Sequence, residues 1–310
     1  MHPESDKYVL RRDLAGRRDP HFRIDYRAEL NPAQYEAVVT TDGPVLVVAG
    51  AGTGKTRTLV YRVARLVESG VDPLQILLLT FTRKAAGEML RRASLLLDGR
   101  CDRVAGGTFH SFANITLRRY GRVLGLESHF TILDRGDSED VVNLLRANLV
   151  DKQDKRFPRK QAIAEMYSMA INKSVPVPQL IEAEYSHLLD HLPQLVELHQ
   201  RYVAYKAERQ LLDYDDLLVK LRDLLNDTDT RARLSSTYRY VMVDEYQDPN
   251  ALQADIVRRL GSEHGNVMAV GDDAQSIYSF RGANFRNIMD FPALFPGTRV
   301  IALEENYRST

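Results

Sequence analysis

The sequence predicts an α/β protein: a parallel sheet with helices on both faces, interrupted by a mostly helical insertion. Three observations predict it. Short, almost purely aliphatic runs recur along the chain, which is how strands buried on both faces read. Helical periodicity fills the gaps between the early runs, as crossover connections require. A stretch of about a hundred residues then loses the strand-like runs before they resume.

Val45–Ala49 is the first strand, followed by a Gly-rich turn and a helix over residues 55–69. Residues 75–80 form the second strand, and residues 84–97 the helix behind it. From Ser111 to Leu212 the pattern is helical and carries Pro158, Pro176, Pro178 and Pro193, which marks a separate unit. Residues 240–243, 266–270 and 299–303 are the returning strands. The expected division is a variable extension at 1–25, a nucleotide-binding domain at 26–110 with 213–310, and the insertion at 111–212.

Composition narrows the class of function. In 310 residues there are 42 Lys plus Arg and 42 Asp plus Glu, so the net charge does not point to a polyanionic partner. Any nucleic-acid contact has to come from local patches. The single cysteine, Cys101, excludes an internal disulfide and suits a reducing cytoplasm. No apolar run is long enough to span a bilayer, and residues 1–20 are mixed-charge without the apolar core of a signal peptide.

The stretch VAGAGTGKTRT at 48–58 carries the first chemistry. In the pattern G-x-x-x-x-G-K-[ST], backbone N–H groups wrap phosphates, the Lys reaches the terminal phosphates and the hydroxyl binds Mg²⁺. Gly54, Lys55 and Thr56 match, while Ala49 takes the first Gly position. Gly50 and Gly52 are expected to supply the unusual backbone angles, with Ala51 and Thr53 completing the loop. Hydrolysis also needs a carboxylate for the ion and a second to orient water. The strand ending in Asp244-Glu245 offers both, with Thr56 and Asp244 as the Mg²⁺ ligands. The GTPase signature Asn-Lys-x-Asp is not met, because Asn172-Lys173 runs on into Ser174-Val175, and no LSGGQ-type segment of transporter ATPases occurs.

Further segments, in order, are LNPAQYEAV at 30–38, LLTFTRKAAGEM at 78–89, GTFHSF at 107–112, DEYQDPNALQ from 244, VGDDAQSIYSFRGA from 270 and LEENYRST from 303. Together these resemble the UvrD/Rep/PcrA-like DNA helicases of superfamily 1, from about Leu30 to Thr310. The resemblance implies a RecA-like ATP-binding domain (subdomain 1A) with the helical insertion as subdomain 1B. It implies ATP and Mg²⁺ as cofactors and single-stranded DNA and single-strand/duplex junctions as partners, with 3′-to-5′ polarity.

The resemblance also assigns residues. Gln34 would read the adenine edge, and Arg57 and Tyr307 would pack on its two faces. Lys55, Asp244, Glu245, Gln275 and Arg308 would be catalytic, Gln275 touching the γ-phosphate and Arg308 stabilising charge on the transferring group. DNA would be met by Phe81, Thr82, Arg83 and Lys84, by Thr108, Phe109 and His110, and by Tyr278, Phe280 and Arg281. That mix of aromatics with polar and basic groups suits stacked bases and a charged backbone. Arg83 stands where the family usually has Asn, and Phe280 where Trp is usual.

LLDYDDLL at 211–218 resembles a further family motif, whose acids are expected to cap and brace. Lys152, Lys155, Arg156, Arg159 and Lys160 form a basic run in the insertion, read as a solvated face or a duplex contact. In that family the first RecA-like domain ends near Asn306–Thr310. The resemblance therefore implies an amino-terminal piece of a cytoplasmic repair-type helicase, monomeric and of low activity by itself. A stand-alone ATP-responsive DNA-binding module and the motor of a helicase–nuclease remain as alternatives.

Overall fold

The computed structural model describes residues 22–150, 154–272 and 286–304. Six parallel strands form the central sheet: β1 (Val45–Ala49), β2 (Ile76–Thr80), β3 (Ala105–Thr108), β6 (Tyr240–Val243), β7 (Val267–Gly271) and β8 (Arg299–Leu303). Their spatial order is β3-β2-β6-β7-β1-β8. Alternate residues feed opposite faces, as the period of two requires. Val45, Val47, Ala49, Ile76 and Leu78 join one core with α2 (Pro32–Val39), α3 (Lys55–Glu68) and α4 (Arg83–Leu96). Leu46, Leu77, Leu79, Val241 and Val243 join the other, with α5 (Phe109–Tyr120), α10 (Tyr214–Leu224), α12 (Ala251–Leu260) and α13 (Arg286–Leu294). A parallel sheet covered on both faces, as expected, is what these residues build.

Three details differ from the expectation. Gln75 closes a short 3₁₀ turn over Pro73–Gln75, so β2 begins one residue later. Strand β3 was missed because Gly106 and Gly107 lie in it, and glycine is depleted in strands. Gly106 is there for close packing: a Cβ would stand 2.8 Å from the Leu90 side chain of α4. The two-residue strands β4 (Thr131–Ile132) and β5 (Leu211–Leu212) pair in parallel where the chain enters and leaves the insertion. Each is followed by a capping-box aspartate, Asp134 before α6 (Arg135–Ala147) and Asp213 before α10.

The insertion also contains α7 (Lys160–Asn172), α8 (Val177–Glu184) and α9 (Leu192–Glu208). Its separate core runs from Val142 to Tyr202. The expected boundary at residue 111 falls inside α5, whose Phe112, Ala113 and Leu117 belong to the core of the sheet. A helical period does not reveal which core a helix serves.

Where the insertion returns, buried Lys206 lies 2.5 Å from both Asp213 and Asp216. Tyr202 donates to Asp213 at 2.9 Å. Burial opposes the charge on Asp213, but the Lys206 ammonium and these hydrogen bonds hold its carboxyl below the usual range. The acids of this motif therefore cap and brace. Of the basic run, Lys155, Arg156 and Arg159 are exposed and Lys160 pairs with Asp140 at 2.5 Å, while Lys152 lies outside the described residues.

Candidate nucleotide and DNA site

The P-loop spans the end of β1 and the start of α3. Thr53 Oγ1 donates to the Gly50 carbonyl at 2.8 Å and closes the turn on itself. The left-handed angles fall at Gly52 (φ +81°) and Gly54 (φ +91°), which corrects the expectation for Gly50. At Gly50 a Cβ would meet only Thr53 Cγ2 at an ordinary 3.8 Å. Gly54 is doubly required, because a Cβ there would also collide with the Gln34 amide. As N-cap it offers no side-chain acceptor, which leaves the first N–H groups of α3 available to an anion.

A cavity of 630 Å³ opens over this loop, walled by Ala51, Gly52, Gly54, Lys55 and Thr56 together with Gln34, Arg57 and Glu245. Glu29 and Arg92 also line it, and the sequence did not single them out. Gln34 is buried; its Nε2 donates to the Thr53 carbonyl at 3.0 Å, and its Oε1 accepts from Asn31 N–H at 3.3 Å. It braces the P-loop while facing the cavity. Arg57 donates to Glu29 Oε2 and to the Glu29 carbonyl, both at 2.7 Å, and lies 4.8 Å over the Tyr61 ring. Its Nη2 also donates to the Tyr61 hydroxyl at 3.3 Å, so the guanidinium is held from two sides by Glu29 and Tyr61.

Strand order explains the acidic wall. Strand β7 separates β1 from β6, so Asp272, just past β7, sits between the P-loop and the Asp244-Glu245 pair. Lys55 Nζ lies 3.3 Å from Glu245 Oε2 and 3.6 Å from Asp272 Oδ2. Glu245 has φ +52°, a left-handed angle that costs a non-glycine residue about 1–2 kcal/mol. Its neighbours hold it there: Asp244 N–H bonds Leu79 O at 3.0 Å, and Tyr246 N–H bonds Val270 O at 2.8 Å. The fully buried Tyr246 ring packs edge-on against Phe291.

Asp244 is 4% exposed, and its Oδ1 has no hydrogen-bond partner. Burial, reinforced by the Glu245 charge, pushes its carboxyl up to about 6. An orphaned buried carboxylate oxygen at the end of β6 is the kind of donor that fits a hard divalent cation, and the Thr56 hydroxyl at the start of α3 is of the same hard-oxygen type.

Two of the three expected DNA motifs lie at the same carboxyl edge of the sheet, side by side, because Thr80 of β2 pairs with Thr108 of β3. Thr82 and Thr108 cap α4 and α5. Thr82, Arg83 and Lys84 are exposed, and Phe81 is half-buried. Phe109 is 1% exposed and packs on Phe81 with ring centroids 6.1 Å apart. Its ring is core, so of this aromatic pair only Phe81 has a face to offer. Burial lowers the His110 pKa, which keeps the ring neutral, and it meets the half-exposed Tyr214 edge-on at 5.8 Å. Tyr214 was missed because its motif reads as helix capping. Gln275, Tyr278, Phe280, Arg281, Tyr307 and Arg308 lie outside the described residues.

A P-loop facing an acidic strand end across a doubly covered parallel sheet defines a nucleotide-binding α/β domain. The chain belongs to the UvrD/REP helicase N-terminal domain family, which it matches over residues 30–296. Among curated proteins it is 40% identical over 286 residues to the ATP-dependent DNA helicase PcrA of Leuconostoc citreum, covering 91% of this chain and 37% of that protein. It is 36% identical over 284 residues to PcrA of Staphylococcus epidermidis, covering 91% and 38%. PcrA of Staphylococcus aureus (strain Mu50) is 36% identical over 285 residues, with the same coverage. The chain therefore spans a little over a third of the length of these relatives.

Proposed function

We propose that this chain is the ATP-binding amino-terminal part of an ATP-dependent DNA helicase that moves 3′ to 5′ along single-stranded DNA. The observation that carries the ATP-using part of this reading is the Lys55 ammonium in the P-loop cavity, held between Glu245 and Asp272. The DNA helicase part is supported by the family and its relatives, and the polarity by the resemblance alone. Entering phosphates compete with those carboxylates for Lys55. As Lys55 turns to phosphate, Glu245 is released to orient the attacking water. Gln34 and Arg57 meet the adenine, and Glu29 with Tyr61 holds Arg57 in place for it. The nucleotide unit is taken as residues 26–110 with 213–310 and the insertion as 111–212, except that all of α5 goes with the nucleotide unit, whose core it shares.

Thr56 and Asp244 would hold Mg²⁺, which when bound neutralises phosphate charge. Because Asp244 must lose its proton to bind, apparent Mn²⁺ affinity (a paramagnetic probe for Mg²⁺) should fall about tenfold from roughly pH 7 to pH 5. Electron paramagnetic resonance with Asp244→Asn as control measures this. A flat profile removes Asp244 from the ligand set.

On the DNA side, Phe81 and Tyr214 offer ring faces, and Arg83 and Lys84 offer charge to the backbone. The buried lone cysteine suits a reducing cytoplasm. Among the described residues no helix is long and apolar enough to cross a membrane. The test is ATP hydrolysis by the 310-residue chain at low salt, with and without single-stranded DNA, alongside ATP binding. We expect ATP binding with slow turnover, since the chain spans a little over a third of the length of its helicase relatives. Failure to bind ATP rejects the reading, and fast DNA-stimulated turnover rejects the need for a second domain.

A further inference from the structure

Gln247, two residues past Glu245, is 3% exposed and touches both sides of the catalytic cleft. Its Nε2 donates to Glu245 Oε2 at 2.7 Å. Its Oε1 accepts the Asp272 backbone N–H at 3.0 Å. The amide orientation is set by chemistry: a backbone N–H can only donate and a carboxylate can only accept, so the reversed amide would break both bonds. The fold leaves room for the bridge. A Cβ at Gly271 would stand 3.1 Å from Gln247 Oε1 and 3.3 Å from its backbone nitrogen, so a side chain there would crowd the amide out.

We propose that Gln247 is a positioning residue for Glu245. The Glu245 backbone is held at a left-handed angle, and among the described residues its carboxylate has two partners in the cleft, Lys55 and Gln247. When phosphate draws Lys55 away, the Gln247 amide is the contact that remains among the described residues. It ties Glu245 to the end of β7, so the carboxylate keeps its place relative to the strand that carries Asp272. This rests on the reading of Glu245 as the water-orienting carboxylate.

The test is a double-variant cycle in the 310-residue chain. Gln247→Met keeps the volume and removes both hydrogen bonds. Gln247→Asn keeps the amide but is too short to span both partners, and it serves if the Met variant does not fold. Hydrolysis of radiolabelled ATP is followed in single turnover with protein in excess. ATP, ADP and ADP–aluminium fluoride affinities are measured in parallel. The expected result is a single-turnover rate at least about tenfold lower, with ATP and ADP affinities within about twofold of the parent. ADP–aluminium fluoride should bind more weakly, and Gln247→Met added to Glu245→Gln should cost nothing further. Additive losses overturn the proposal, as does an equal weakening of ATP and the analogue. Where turnover is too slow to follow, undiminished analogue binding by Gln247→Met overturns it. Parent-level hydrolysis by Glu245→Gln alone means the reading of Glu245 has failed, and the positioning role falls with it.

Discussion

Lys55→Ala is expected to abolish ATP turnover and to weaken ATP binding by about 10- to 100-fold, the range for losing a charge-assisted contact to phosphate. Two effects add. The phosphates lose their cation, and the two carboxylates Lys55 now neutralises are left facing them. Asp272 is 1% exposed, so water screens it little, and the loss of Lys55 takes one partner from it close to an incoming triphosphate. The variant should therefore discriminate against charge: ATP should lose more affinity than ADP, and ADP more than AMP. Calorimetric titration of the three nucleotides measures the gradient. Equal losses for all three would mean that Lys55 shapes the loop without meeting phosphate, and parent-level turnover would remove the P-loop assignment.

What the sequence shows and what it hides follow one physical line. Strands buried on both faces must be aliphatic throughout, so β1, β2, β6 and β7 stand out in the chain; β8, at the sheet edge with Arg299, Val300 and Ala302 exposed, is read from its aliphatic run alone. Strand β3 does not stand out, because α4 packs so close that Gly106 can carry no side chain. The P-loop is legible because its geometry demands particular residues in sequence, although not which glycine takes which angle. Asp272 and Gln247 were less visible. Their importance depends on β7 lying between β1 and β6, and spatial strand order is not written in local pattern. A signal was present even so: β7 ends in an acid just as β6 does. Phe109 shows the reverse error, since an aromatic in a DNA-contact motif reads the same whether its ring faces solvent or core.

Glu245→Gln is expected to lower hydrolysis by about 10²- to 10⁴-fold, the usual contribution of a group that activates water, while ATP binding is retained. The substitution is nearly isosteric, and a glutamine carbonyl oxygen can still accept the hydrogen bond from Gln247, so the loop keeps its anchor. What is lost is negative charge, and that loss has a sign elsewhere in the site. Lys55 now divides its attraction between Glu245 and Asp272; with Glu245 neutral it is freer to turn to phosphate. ATP affinity should therefore be unchanged or tighter, opposite to Lys55→Ala. Single-turnover hydrolysis together with calorimetry separates the two effects. Weaker ATP binding by Glu245→Gln would mean that the carboxylate helps to build the nucleotide pocket. Turnover at the parent rate would mean that another group, with Asp272 the nearest candidate, handles the water. Tighter binding with stalled chemistry is the result that only a charge-exchanging lysine and a water-orienting carboxylate together produce.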